Sequence, residues 1–131
     1  MIPRLKVKTA RRKGRGVFAN CSIRKREIVE VAPVIVVVSK DERRFKGLQL
    51  INYCYNWGYR GNQTALVLGF GCLYNHSYDP NVEHYGRPKR KEMVFRALRD
   101  ISPGEELTHN YNGSPADRSP IRFTRNSWER M

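Results

Sequence analysis

The chain predicts a mainly β domain with one short helix. Three observations carry this. Apolar residues come in short runs rich in Val and Ile, with residues 28–38 as the longest example. Turn residues punctuate these runs at short intervals, as at Gly14-Arg15-Gly16, Gly61-Asn62 and Ser102-Pro103-Gly104. Only one segment opens with a helix start signal: Ser39-Lys40-Asp41-Glu42 matches a capping box.

Taken in order, Leu5 and Val7 alternate with Arg4, Lys6 and Lys8, as in an exposed first strand. Basic residues follow, and Gly14-Arg15-Gly16 then leads into Val17-Phe18-Ala19. Two glycines one residue apart let backbone amides face a ligand. Residues 28–38 form two strands or one broken at Pro33, where a missing donor is tolerated. The helix is expected from residue 39, with Phe45, Leu48 and Ile51 as its apolar stripe, fraying over 53–57 and ending by Gly58. Tyr53, Tyr55, Trp57 and Tyr59 cluster there. Trp57 reads as core, whereas the tyrosines suit the wall of a narrow channel, since aromatic faces attract ammonium or sulfonium groups. Residues 65–70, 82–85 and 93–95 read as further strands, with a basic turn over 86–91.

The organising stretch is 68–81. It joins an apolar run to Asn75, His76 and Ser77, side chains rich in donors and acceptors, and closes on the turn-forming Asp79-Pro80-Asn81.

At 131 residues one domain is expected. No run approaches the roughly 18 apolar residues of a membrane helix, and the N-terminus lacks the apolar centre of a signal peptide. An intracellular protein with no membrane contact is expected. The three cysteines suggest neither a disulfide framework nor a zinc site; Cys72 and His76 have ligand spacing but no second pair. The 25 basic and 12 acidic side chains leave a net charge of +13. That excess favours polyanionic partners, or serves only solubility.

Four features stand in order: Gly14-Arg15-Gly16-Val17-Phe18-Ala19, Asn75-His76-Ser77, the run from Arg99 through Glu105-Glu106-Leu107-Thr108, and Tyr111. Together they resemble a SET domain of the protein-lysine methyltransferases, in particular the short stand-alone SET proteins of bacteria and viruses. The resemblance spans 1–113, leaving 114–131 as a C-terminal tail. It implies small curved sheets with a knot-like crossing, in which the late segment passes beside the Asn-His-Ser motif. It also implies S-adenosylmethionine as cofactor, held by Gly14, Arg15, Gly16, Val17, Asn75 and His76. A protein lysine is then the substrate, entering from the opposite face past Tyr53 and Tyr55. Tyr111 takes the catalytic position.

Three departures from the family pattern stand out. Asn110 replaces the usual Asp before the tyrosine. His109 replaces the Phe or Tyr linked to the number of methyl groups added, and so belongs to the lysine site. There is no cysteine-rich zinc segment after the domain, so Phe123 or Trp128 is expected to cover the adenine. The basic charge suggests a histone or another nucleic-acid-associated protein as substrate, with nucleic-acid contact through the basic surface. A homodimer is left open. A cytoplasmic location suits a prokaryotic source and a nuclear one a eukaryotic or viral source. The competing reading is a SET fold that has lost catalysis and only binds nucleic acid or nucleoprotein.

Overall fold

The computed structural model describes residues 3–121 apart from Arg12 and Tyr59. Phe123 and Trp128 lie outside the described residues. Among the described residues, nine strands form two sheets. The first has the order β1 (Leu5–Ala10), β2 (Gly14–Ala19), β9 (Glu106–His109), β6 (Asn75–His76). The second has the order β4 (Tyr55–Trp57), β5 (Gln63–Val67), β3 (Ile28–Val36), β8 (Glu92–Ala97), β7 (Val82–Arg87). One apolar cluster unites them: Val17 and Leu107 from the first sheet join Val34, Val67 and Phe95 from the second.

Residues 28–36 are one strand, not two. Pro33 sits where β3 changes partner: Ile28 to Pro33 pair with β8, and Val34 to Val36 pair with β5. A residue without an N–H does least harm at such a junction. Trp57 is buried in the core, as its alternating spacing suggests. The basic turn closes the β7–β8 hairpin over Pro88–Arg90, with Lys91 left-handed at φ 51°.

The helix is much shorter than expected. A 3₁₀ turn (Ser39–Asp41) leads into α1 (Glu42–Lys46), and a second 3₁₀ turn spans Gln49–Tyr53. No cap is made by a side chain. The Glu42 carboxylate, which the capping box needs, instead accepts from the Thr64 backbone and hydroxyl at 2.8 Å each. The expected apolar stripe is not buried either; Leu48 is 51% exposed. A short helix without a buried face gains too little to extend. Tyr55 to Trp57, read as the fraying end of that helix, form β4 because β5 supplies a pairing edge.

The late strand β9 lies between two early segments. It pairs antiparallel with β2 and parallel with β6, with Asn75 opposite Thr108 and His76 opposite His109. The C-terminal segment thus runs beside the Asn-His-Ser motif, and chain regions about 90 residues apart meet at one place.

Candidate active site

β6 is two residues long, and side chains reinforce its short backbone ladder with β9. The Asn75 amide donates to the Arg15 carbonyl at 3.0 Å and to Glu106 Oε2 at 2.8 Å, tying β6 to β2 and β9. Glu106 also pairs with Lys13 at 3.3 Å. Gly16 lies directly over this junction. A Cβ there would stand 2.5 Å from Glu106 Oε2 and 2.9 Å from Asn75 Nδ2, so any larger residue would push this hydrogen-bonded pair aside. Asn81, at the end of the same motif, donates to the Glu106 carbonyl and accepts from the Thr108 amide at 2.9 Å. The two asparagines therefore clamp β9 together, Asn75 through the Glu106 side chain and Asn81 through the strand backbone.

This clamp positions Tyr111. His76 Nδ1 accepts the Tyr111 backbone amide at 3.0 Å, which places the ring proton on Nε2. Nε2 is buried and has no hydrogen-bond partner among the described residues. Burial, reinforced by nearby Lys13, lowers the His76 pKa and keeps the ring neutral. The Tyr111 hydroxyl donates to the Tyr74 carbonyl at 2.7 Å.

Tyr111 opens onto a cleft of about 380 Å³. Tyr53, Tyr55, His84 and His109 also line it. Tyr55 stacks on His109 at 5.5 Å, and His84 stands edge-on to both, 5.1 Å from Tyr55 and 4.7 Å from His109. The Tyr55 hydroxyl donates its single proton to the Gly71 carbonyl at 2.6 Å. It must then accept from His109 Nε2 at 3.2 Å, so neutral His109 carries its proton on Nε2 and a lone pair on Nδ1. Desolvation pulls the His84 pKa down to about 4. At neutral pH the cleft therefore presents aromatic faces and an uncharged His84.

A second cleft, about 210 Å³, is lined by Lys13, Gly14, Arg15, Cys72, Leu73 and Asn75, with Tyr53 shared between the two. The donor chemistry here fits an amino-acid-like anion: the cation of Lys13 and the backbone of a turn whose Gly14 has φ 75°. Of the residues expected at the cofactor, Gly14, Arg15 and Asn75 line this cleft. Gly16 lies under it as a packing residue, and the Val17 side chain is wholly buried opposite Leu107. His76 acts on Tyr111 instead of lining either cleft.

Sequence reasoning missed three features. His84 carried no signal, because its strand neighbours look ordinary. The Asn81 clamp was visible only as turn chemistry. Glu30 on β3 accepts from the Phe70 amide at 2.9 Å and the Tyr74 hydroxyl at 2.8 Å, and its burial raises its pKa. That contact anchors the strand-to-motif turn, where Gly69 has φ 61°. Asn110 also gains a reason. Its Oδ1 accepts the Asn112 amide, and its Nδ2 donates to the Asp117 carbonyl. A carboxylate could do the first but not the second.

A curved β domain, with Tyr111 held at the aromatic cleft and Tyr53 shared by both clefts, has the form of a SET domain. The SET-domain profile matches residues 14–112. The chain is 32% identical over 107 residues to "Histone-lysine N-methyltransferase, H3 lysine-37 specific" of Schizosaccharomyces pombe, covering 82% of this chain and 72% of that protein. A crystal structure of a Plasmodium falciparum protein, described as a candidate histone methyltransferase, superposes with a TM-score of 0.67 at 29% identity. It covers 87% of this chain and 97% of the other. The chain belongs to the SET-domain family and is a protein-lysine methyltransferase.

Proposed function

We propose that the chain methylates a lysine of a histone or similar nucleic-acid-associated basic protein, using S-adenosylmethionine held in the smaller cleft. The single observation that carries this reading is the placement of Tyr111 by His76, at the mouth of an aromatic cleft and beside the Asn75 clamp. Gly14 and Arg15 offer backbone donors to the cofactor's amino-acid end, and Lys13 offers a cation to its carboxylate. Bound there by Lys13, Gly14, Arg15 and Asn75, the cofactor would supply an activated methyl on a sulfonium.

The protein's own groups act on the incoming lysine. A free lysine has a pKa of about 10.4 and must lose a proton before attack. The cleft of Tyr53, Tyr55, His84 and His109 disfavours the ammonium by desolvation. Tyr111 keeps its hydroxyl fixed on the Tyr74 carbonyl, and its oxygen lone pairs can orient the amine. His109 stacks behind Tyr55 and holds its hydroxyl in place at the cleft wall. A nuclear site of action follows if the substrate is a histone. Among the described residues no helix is long and apolar enough to cross a membrane.

Incubating the chain with isotope-labelled S-adenosylmethionine and core histones, then locating label by mass spectrometry, tests the proposal. Label on a lysine that disappears with Tyr111→Phe supports it. Label that persists unchanged in that variant, or no label on any histone or lysate protein, overturns it.

A further inference from the structure

Two basic segments remote in sequence border one shallow cleft. The β7–β8 hairpin tip exposes Lys89, Arg90 and Lys91. The segment around α1 exposes Lys40, Arg43, Arg44 and Lys46. Pro88 and Lys91 line that cleft together with Val36 to Ser39, the residues that lead directly into Lys40. None of these seven cations forms an ion pair among the described residues, whereas Arg4, Lys13, Arg87, Arg96 and Arg99 all do. Three carboxylates share the region, Asp41, Glu42 and Glu92; that of Glu42 is engaged by Thr64 and that of Glu92 by Arg87. Trp57 lines this cleft and Tyr55 lines the aromatic one. They are two residues apart on β4, about 7 Å along a strand.

We propose that the basic border of this cleft binds the phosphate backbone of duplex nucleic acid and so presents a basic, nucleic-acid-bound substrate to the neighbouring aromatic cleft. A chain of net charge +13 repels a free lysine-rich protein. A phosphate polymer attracts both and brings them together. Cations already paired within the fold would lose a partner on binding phosphate, and these would not. The presentation role rests on the methyltransferase reading above; the binding itself does not.

The test measures binding of the whole chain to a fluorescent 20-base-pair DNA duplex by anisotropy, without cofactor or substrate, across a salt series. Three proteins are compared: wild type, Lys89→Ala/Arg90→Ala/Lys91→Ala, and Arg24→Ala/Lys25→Ala as a basic cluster elsewhere. The expected result is a tenfold or greater loss of affinity in the tip variant. Its log–log salt slope should fall by about 2 to 3, at ~0.9 per phosphate contact. The Arg24/Lys25 variant should match wild type. Equal loss in both variants, or no binding at low salt, overturns the site. Equally tight binding to polyglutamate or to phosphatidylserine vesicles overturns the nucleic-acid assignment. Failure of binding with histone methylation intact separates this proposal from the catalytic one.

Discussion

Asn75 and Glu106 are joined by a 2.8 Å hydrogen bond that crosses from β6 to β9 directly beneath Gly16. Asn75→Ala leaves the Glu106 carboxylate and the Arg15 carbonyl short of a donor, at roughly 1–3 kcal/mol for each buried group left unsatisfied. We expect a clear drop in melting temperature together with weaker S-adenosylmethionine binding by calorimetry. Unchanged values for both would show that the clamp is dispensable.

Tyr111→Phe keeps the ring and the His76 contact to the backbone but removes the hydroxyl. Turnover should fall by about tenfold to a thousandfold, with cofactor affinity near wild type. Steady-state kinetics with parallel melts check this, because the hydroxyl also holds the Tyr74 carbonyl. Activity within twofold of wild type would remove the catalytic role.

His109→Phe removes the bond to the Tyr55 hydroxyl while keeping a flat ring against it. A Tyr55 held less firmly at the cleft leaves the amine freer to turn between transfers. Products should shift towards higher methylation states, read by intact-mass spectrometry of a substrate peptide. An identical product distribution would exclude His109 from setting multiplicity.

His84 gives the fold a pH dependence of defined sign. Its folded pKa of about 4 lies below the usual 6.5, so the unfolded chain binds the proton more readily. Stability from this residue is present above pH 6.5 and is lost as pH falls towards 4. His84→Phe should flatten the decline in urea-unfolding free energy between pH 6.5 and 4. A decline as steep as in wild type would place the titration elsewhere.

Asn110→Asp restores the residue usual in the family and should nevertheless destabilise this chain. The carboxylate would face the Asp117 carbonyl that Nδ2 now serves. Thermal melts should show a loss on the order of 1–3 kcal/mol. A gain in stability would contradict the two-ended use of Asn110.

What could be read beforehand depended on how local each cause was. The strands of residues 28–36 and 92–97 and the turn at Ser102-Pro103-Gly104 were legible, because β-branched runs and turn residues act over a few positions. The one short helix was legible, but its end at Lys46 instead of near Gly58 was not, because Glu42 found a partner 22 residues away, which no local signal encodes. Within the site, Asn75, His76, His109 and Tyr111 were legible as a group, but their separate tasks were not. His76 proves to steer Tyr111, and His84 completes the cleft only because β7 packs against β8 and brings it beside Tyr55 and His109.

The position of β9 has a consequence for how the enzyme is made. A ribosome releases the chain from its N-terminus, so β1 to β8 emerge before the strand that lies between β2 and β6. Until residues 106–111 arrive, His76 has no Tyr111 amide to accept and Asn75 has no Glu106 to grip. A nascent chain therefore lacks the placement of Tyr111, however well its earlier hairpins have formed. The cleft around Tyr111 is completed in one late event, set by closure of contacts distant in sequence, which are slow to form. Substitutions that loosen the β2–β6 slot should reduce the yield of active enzyme more than the activity of each molecule that completes the closure.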